Sequence, residues 1–417
     1  MGLFDKLKKP KMPERVYEAG VIFFPEEDPK KALNQVEELF HTEHQGDANS
    51  YTLHNGDMEI ALLACGVSEE GDDGKYASEQ IQGVGGYVYQ VKTELVDIKR
   101  NLFYHLRQCK GVFRVTYSFE SASQAETKEK EKQIRIPILQ ITEKLQGVVT
   151  FGNGLSLLDG QGRLILDKEG KSGLEFYMPA EKPVPDGWKS SASEESLERR
   201  NRSMALLREH HVYVTPWLPL LGEKEEEPGR TAEEVCGRAA ALLVVSLYSE
   251  CRVGEKQSYK EAREFVDPII ESYGAEEFFS PEERKYLNDP DSTEQTQIQY
   301  AWQYENLWVM EWALGLTEDL FWPTHICDVP GSVRIMSQGC SSMKELLAAA
   351  RLRSRKELLD QADLIYRLHW ACVDARVMGM PAPGGLEEGV VMERHRALFW
   401  LAGCDDMCLW DEVDLST

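Results

Sequence analysis

Three short runs in the second half of the chain hold the residues best suited to chemistry. The first, Leu352 to Arg376, sets Asp363, Arg367, His369 and Trp370 in a segment otherwise rich in Leu, Ile and Ala. The second, Val390 to Leu401, places Glu393, Arg394 and His395 between two apolar blocks. The third carries Glu305 among Trp302, Trp308 and Trp312. Charge in apolar surroundings is costly unless it is paired. A carboxyl packed on indoles resists ionisation, so its pKa should rise, and such a group can act as a general acid. One reading is therefore an acid–base site. Glu393, His395, Glu305 and Asp363 would be its catalytic groups, and Arg367, Arg394, His369 and Trp370 its binding groups. The other reading is a set of internal salt bridges that fix helix register. Residue types alone leave both open.

Helical periodicity says which elements must position these groups. At about 100° per residue, Asp360, Asp363, Arg367 and Asp374 fall on one line of a helix from Lys356 to Met378. That line reads as a solvated face laced by the Asp363–Arg367 pair at i,i+4. His369 and Arg376 fall on the apolar side. A helix from Leu386 to Ala402 leaves an exposed direction only near Arg396, so Glu393, Arg394 and His395 need partners from elsewhere. A helix from Gln295 to Leu314 carries Glu305, with Glu311 on another side near Tyr300 and Tyr304. Capping boxes recur at Thr231/Glu234, Ser258/Glu261, Ser280/Glu283, Ser342/Glu345 and Ser354/Glu357. Gly254, Gly274, Gly315, Gly379 and Gly403 follow periodic runs as C-caps.

The first half reads differently. Gly20 to Phe24 is a buried strand, and Asp28-Pro29 opens a helix to His41. Asn55-Gly56 between Tyr51–Leu53 and Met58–Ala64 signals a hairpin. Tyr89 to Cys109 reads as one amphipathic helix, Gly111 to Phe119 as a strand, and Glu120 to Lys132 as a solvated loop or helix start. Pro137 makes Ile134 to Leu145 ambiguous. Val148–Phe151, Leu155–Leu158 and Arg163–Leu166 are strands, the last two joined through Asp159-Gly160-Gln161-Gly162. The fold class is α+β: a small N-terminal α+β sandwich, then a mainly α-helical, bundle-like domain of about seven or eight helices. The boundaries fall at residues 1–178, a Pro- and Ser-rich linker at 179–193, and 194–417.

Composition narrows the classes. A hydrophobic content of 42% and an aromatic content of 9% belong to a globular chain. Charge is lopsided. Up to Glu194, 24 basic residues stand against 31 acidic ones; from Glu195 onward, 23 stand against 40, and the total is −24. Such a chain repels phosphate backbones, so nucleic acid is not an expected partner, whereas a basic protein would be attracted. Nine scattered cysteines without a Cys-x-x-Cys pair point to reduced thiols in a cytoplasm. Met1 to Pro13 lacks the apolar core of a secretory signal, and Lys6 replaces the Ser or Thr of a myristoylation site. No apolar stretch is long enough for a membrane span.

The familiar reaction motifs are missing. There is no phosphate loop and no Gly-x-Ser-x-Gly elbow, and Gly83-Val84-Gly85-Gly86 follows no clear strand and reads as a loop. Only one Glu-x-x-His pair occurs, Glu38 to His41, and a di-metal bundle needs two, so it lacks its ligands. His41-Thr42-Glu43-His44 has metal-capable types at a helix end. No cofactor is expected, and no metal site.

The C-terminal part resembles the bacterial domain-of-unknown-function family numbered 4272. The likeness rests on Gln303 to Gly315, Ala350 to Ser354, Glu357 to Asp360 running into Asp363 to Trp370, Val390 to His395, Ala397 to Trp400, and Trp410 to Val413. It covers roughly residues 195 to 417 and implies a cytosolic, mainly helical domain with no agreed activity. Phe399 departs from the pattern, where a polar residue is expected. Together these readings favour a protein-contact role, an inhibitor or immunity-type module among them. The alternative is a hydrolase or transferase.

Overall fold

The computed structural model describes residues 12–41, 49–152, 156–180, 192–221, 229–404 and 407–417. Residues 1–11, most of the Pro- and Ser-rich linker, Leu155, and Thr42, Glu43 and His44 lie outside the described residues. The chain forms two compact units, Met1–Glu181 and Lys182–Thr417.

The first unit is built on a seven-stranded antiparallel sheet of order β2-β3-β4-β1-β5-β6-β7. Strand β1 is Glu14–Phe24, β2 Ser50–Asn55, β3 Met58–Gly66, β4 Gly111–Ser121, β5 Val148–Phe151, β6 Leu157–Leu158 and β7 Leu164–Leu166. Strand alternation sends side chains to both faces. Ile22 and Phe24 pack with helices α1 (Pro29–Phe40) and α4 (Gln124–Lys144). Phe23, between them, packs with α2 (Asp72–Gln90) and α3 (Val96–Gln108) on the opposite side. The expected sandwich thus has three layers. The Asn55-Gly56 hairpin forms, with Gly56 at φ 64°.

Two expectations need correction, and one open reading is resolved. The single helix over Tyr89–Cys109 is two helices, α2 and α3, parted at Val91–Leu95. The glycine run 83–86 is not a loop but the interior of α2. Val84, Gly85 and Val88 are buried there, and Phe103 of α3 lies 4.0 Å from where a Gly85 Cβ would stand. Close packing overrides the weak helix propensity of glycine. Pro137 does not stop α4, because Ile134, Ile138 and Ile141 anchor the helix on both sides of it. The charged stretch before it is the outer half of α4, where Lys130 pairs with Asp57 at 2.8 Å.

The second unit is mainly helical, with ten α-helices among the described residues. They are α5 (Glu194–Glu209), α6 (Ala232–Val253), α7 (Tyr259–Tyr273), α8 (Pro281–Leu287), α9 (Glu294–Ala301), α10 (Gln303–Ala313), α11 (Val329–Arg334), α12 (Met343–Ala349), α13 (Arg355–Val377) and α14 (Glu388–Ala402). Helix α6 is buried almost all round and is the axis of the core. Four expected capping boxes close, at Thr231, Ser258, Ser280 and Ser354. At Ser342 the box stays open, since Glu345 takes the Ser341 hydroxyl at 2.7 Å instead. Gly254 keeps right-handed geometry at φ −74°, and Lys256 makes the left-handed turn. The helix expected over Gln295–Leu314 breaks at Trp302 into α9 and α10. There the indole packs on Gly389, 3.0 Å from where its Cβ would be, at the start of α14.

Candidate functional site

Helix α13 carries Asp363 and Arg367 one turn apart. The Arg367 fork donates to both Asp363 oxygens at 2.8 Å, and the two side chains are 0 and 1% exposed. The line they share is not a solvated face. Helix α5 covers it, and Arg202 from α5 reaches Asp360 at 2.7 Å. Among the described residues the pair's one further hydrogen bond is a long one from Arg367 to the Pro219 carbonyl, 3.5 Å, and Arg367 Nη1 is buried without a partner.

His369, also on α13, meets His395 of α14 with the two Nδ1 atoms 2.7 Å apart. One ring must donate and the other accept. His395 Nε2 is buried without a partner. If His395 donates through Nδ1, Nε2 is left as an unmet acceptor, which costs less than an orphaned N–H. Burial, then the neighbouring His369, lowers the His395 pKa to about 3; burial, then Arg376, lowers that of His369 to about 4. Both rings are therefore neutral at pH 7. Phe399 packs edge-on against the His395 ring at 4.0 Å, so no polar contact is made there. Trp370 is half-buried against the helical core.

Glu305 of α10 is not left alone among indoles. Its Oε1 accepts the Cys327 amide N–H at 2.5 Å, and its Oε2 accepts Arg394 Nε at 3.2 Å. Arg394 Nη1 donates to the Leu320 carbonyl and, at 2.9 Å, to that of Phe321. Glu393, one residue earlier on α14, turns to another partner. Its Oε2 accepts Asn306 Nδ2 at 2.7 Å and Arg396 Nη1 at 3.0 Å. Glu393 also borders an open cleft of about 390 Å³ beside Trp410 and Asp411.

Seven of the eight candidates therefore fall into separate hydrogen-bonded sets among the described residues, and Trp370 joins none of them. Asp363–Arg367, His369–His395, Glu305–Arg394 and Glu393–Asn306–Arg396 share no hydrogen bond. They do not gather around one reacting position. Sequence reasoning placed Glu311 among aromatic hydroxyls; it lies instead sealed in the core. It is 0% exposed, and neither carboxyl oxygen has a hydrogen-bond partner. Burial pushes its pKa up to about 8, opposed only in part by the nearby Ser332 hydroxyl. The signal for it was in the chain, since Val309, Met310, Trp312, Ala313 and Leu314 surround it. Among the described residues no group of three or more His, Cys, Asp or Glu is placed to hold a metal ion. No described helix is long and apolar enough to cross a membrane.

The family model described as Domain of unknown function (DUF4272) matches residues 199–413, just over half of the chain. No curated protein and no solved structure matches it.

Two predictions follow from the buried charges. Replacing Arg367 by Met strands Asp363 in the core and should destabilise the helical unit by about 3–5 kcal/mol. Adding Asp363→Leu should recover most of that loss, as read from urea midpoints. Equal stability of the single variant and wild type would show the pair to be idle. The second concerns pH. Folded Glu311 keeps a proton that the unfolded chain loses above its ordinary 4.5, so stability falls as pH rises from about 4.5 to about 8. His369 and His395 stay neutral while the unfolded chain protonates below 6.5, so stability also falls as pH drops below that value. The steeper histidine limb puts the maximum near pH 6.5 for these three groups. Glu311→Gln should flatten the alkaline limb and raise the melting midpoint at pH 8. An unchanged alkaline limb would contradict this.

Proposed function

For this chain, which belongs to the DUF4272 family, we propose a non-catalytic role exercised through protein contacts in the cytoplasm. The observation that carries the reading is the closure of the acid, base and cation groups into separate buried sets. A general base must reach the proton it removes, and a nucleophile must reach its base. His395 is sealed and neutral, Asp363 is locked in a bidentate fork, and Glu305 is held by Arg394 and a backbone N–H. The His369–His395 and Glu305–Arg394 contacts hold helices to one another, while the Asp363–Arg367 pair lies within α13. The net charge of −24 supports a basic protein as the partner, as an inhibitor or immunity-type module would need. One observation favours the hydrolase or transferase reading. Glu393 borders an open cleft, although no His, Ser, Thr or Cys lines it there.

The test uses the full chain as immobilised bait for host proteins. We expect a basic protein to be retained at low salt and released toward 1 M, where the Debye length shrinks to about 3 Å. Two results would overturn the reading. One is that nothing is retained at low salt. The other is that the chain hydrolyses ester or phosphoester substrates with an activity that Glu393→Gln removes.

A further inference from the structure

The cleft beside Glu393 has a composition that selects its ligand. Glu282 at the start of α8, Glu393 on α14 and Asp411 near the C-terminus bring carboxylates to it, and Arg396 is the single cation on its wall. Glu283 also lines it but is already held by Arg238 at 2.5 and 2.6 Å, and Glu282 has an exposed partner in Lys285 at 3.3 Å. Tyr300 and Trp410 supply aromatic surface. The space, about 390 Å³, is within the range of pockets that hold small ligands.

The carboxylate at its base is built to accept one more donor. Glu393 is 4% exposed, and both of its hydrogen bonds fall on Oε2. Its Oε1 has no partner among the described residues and is not among the sealed atoms. A buried carboxylate with one unmet oxygen bordering a cleft calls for a cationic donor. The surroundings deepen the negative potential. Burial first, then Glu283, Asp411 and Glu282, push the Tyr300 phenol above its usual range. Trp410 already takes a guanidinium on its ring, because Arg238, which lines the neighbouring pocket, lies over it at 4.7 Å. A planar cation that stacks on aromatics and donates in a fork suits this cleft better than a point-like ammonium.

We propose that the cleft bordered by Glu393, Tyr300, Trp410 and Asp411 is a receptor for an arginine side chain of a basic partner protein. The source of that arginine rests on the protein-contact reading above; the recognition of a guanidinium does not. Glu393 Oε1 accepts the incoming fork, Asp411 and Glu282 draw it in, and Tyr300 and Trp410 flank its plane. Arg396, whose side chain is 27% exposed, occupies Glu393 Oε2 as an internal competitor. Its removal should open a bidentate seat.

The test is calorimetric titration of the full chain with Nα-acetyl-arginine amide, with Nα-acetyl-citrulline amide as the neutral isostere. We expect saturable one-site binding of the arginine compound and none of the citrulline compound. Glu393→Gln should weaken binding by about tenfold or more, as truncating a buried charge partner does. The exposed Asp411→Asn, whose amide oxygen can still accept the Glu282 backbone N–H, should weaken it about two- to fivefold. Arg396→Gln should tighten it, a gain that a merely structural role would not produce. Equal binding of the two compounds, or no response to any of the three variants, overturns the proposal. A basic protein retained equally by wild type, Asp411→Asn and Arg396→Gln would overturn the cleft and leave the protein-contact reading standing. Saturable arginine binding without any retained protein would support the cleft and sink that reading.

Discussion

The helical unit depends on one constraint: an ion taken from water must find a counter-ion or lose its charge. Helix α10 shows both solutions. At Glu305 the charge is kept, and the cost is offset by Arg394 from α14 and the Cys327 amide N–H. At Glu311, six positions on, no cation is near, and the carboxyl keeps its proton to about pH 8. The Glu305–Arg394 contact does more than neutralise. Arg394 also binds the Leu320 and Phe321 carbonyls, so one guanidinium joins α10, α14 and the chain between α10 and α11. Phe321 has left-handed backbone geometry at φ 50°, uncommon for a bulky residue, and the Arg394 contact helps hold it.

The same constraint explains why apparent acid–base residues need not be an active site. Helix α14 is apolar on most sides, so Glu393, Arg394 and His395 had to find partners on other helices. They found three different ones: Asn306 for Glu393, Glu305 for Arg394 and His369 for His395. Successive residues on a helix point about 100° apart. Three adjacent polar residues therefore reach three separate neighbours and cannot easily converge. Register is set by these contacts, because sliding α14 by one residue would break all three at once. Of the three, Glu393 borders one cleft and Arg394 another.

How much was legible can be judged residue by residue. The strands and the Asn-Gly hairpin of the first unit followed from local pattern and turn chemistry, and the capping boxes fixed four helix starts in the second. The burial of Asp363 and Arg367 was not legible. Their spacing fits a solvated i,i+4 pair equally well, and only the arrival of α5 decides. The break at Trp302 is also tertiary, since it needs Gly389 to accept the indole. The run Gly83-Val84-Gly85-Gly86 misled because it follows no clear strand and so read as a loop, whereas contact with α3 favours a helix. His369 and His395 lie 26 residues apart, and no periodicity argument pairs two such positions across helices.

The π-helical turn at Ile335–Gly339 shows how a local departure is absorbed. A wider turn disturbs the regular ladder and frees carbonyl groups. The Tyr273 hydroxyl from α7 lies 2.9 Å from the Met336 carbonyl and 2.7 Å from that of Cys340, and its one proton serves both. Burial, then the nearby Cys340, Glu345 and Glu311, push this phenol above its usual range, so it remains a donor. A charged Glu311 would have no cation to answer it, and the nearest polar groups here are hydroxyls and a thiol. The region is thus stable as a set of neutral groups, whereas the Glu305 side of α10 is stable as a set of paired ions. Position along one helix, relative to a single arginine, decides which regime each carboxyl enters.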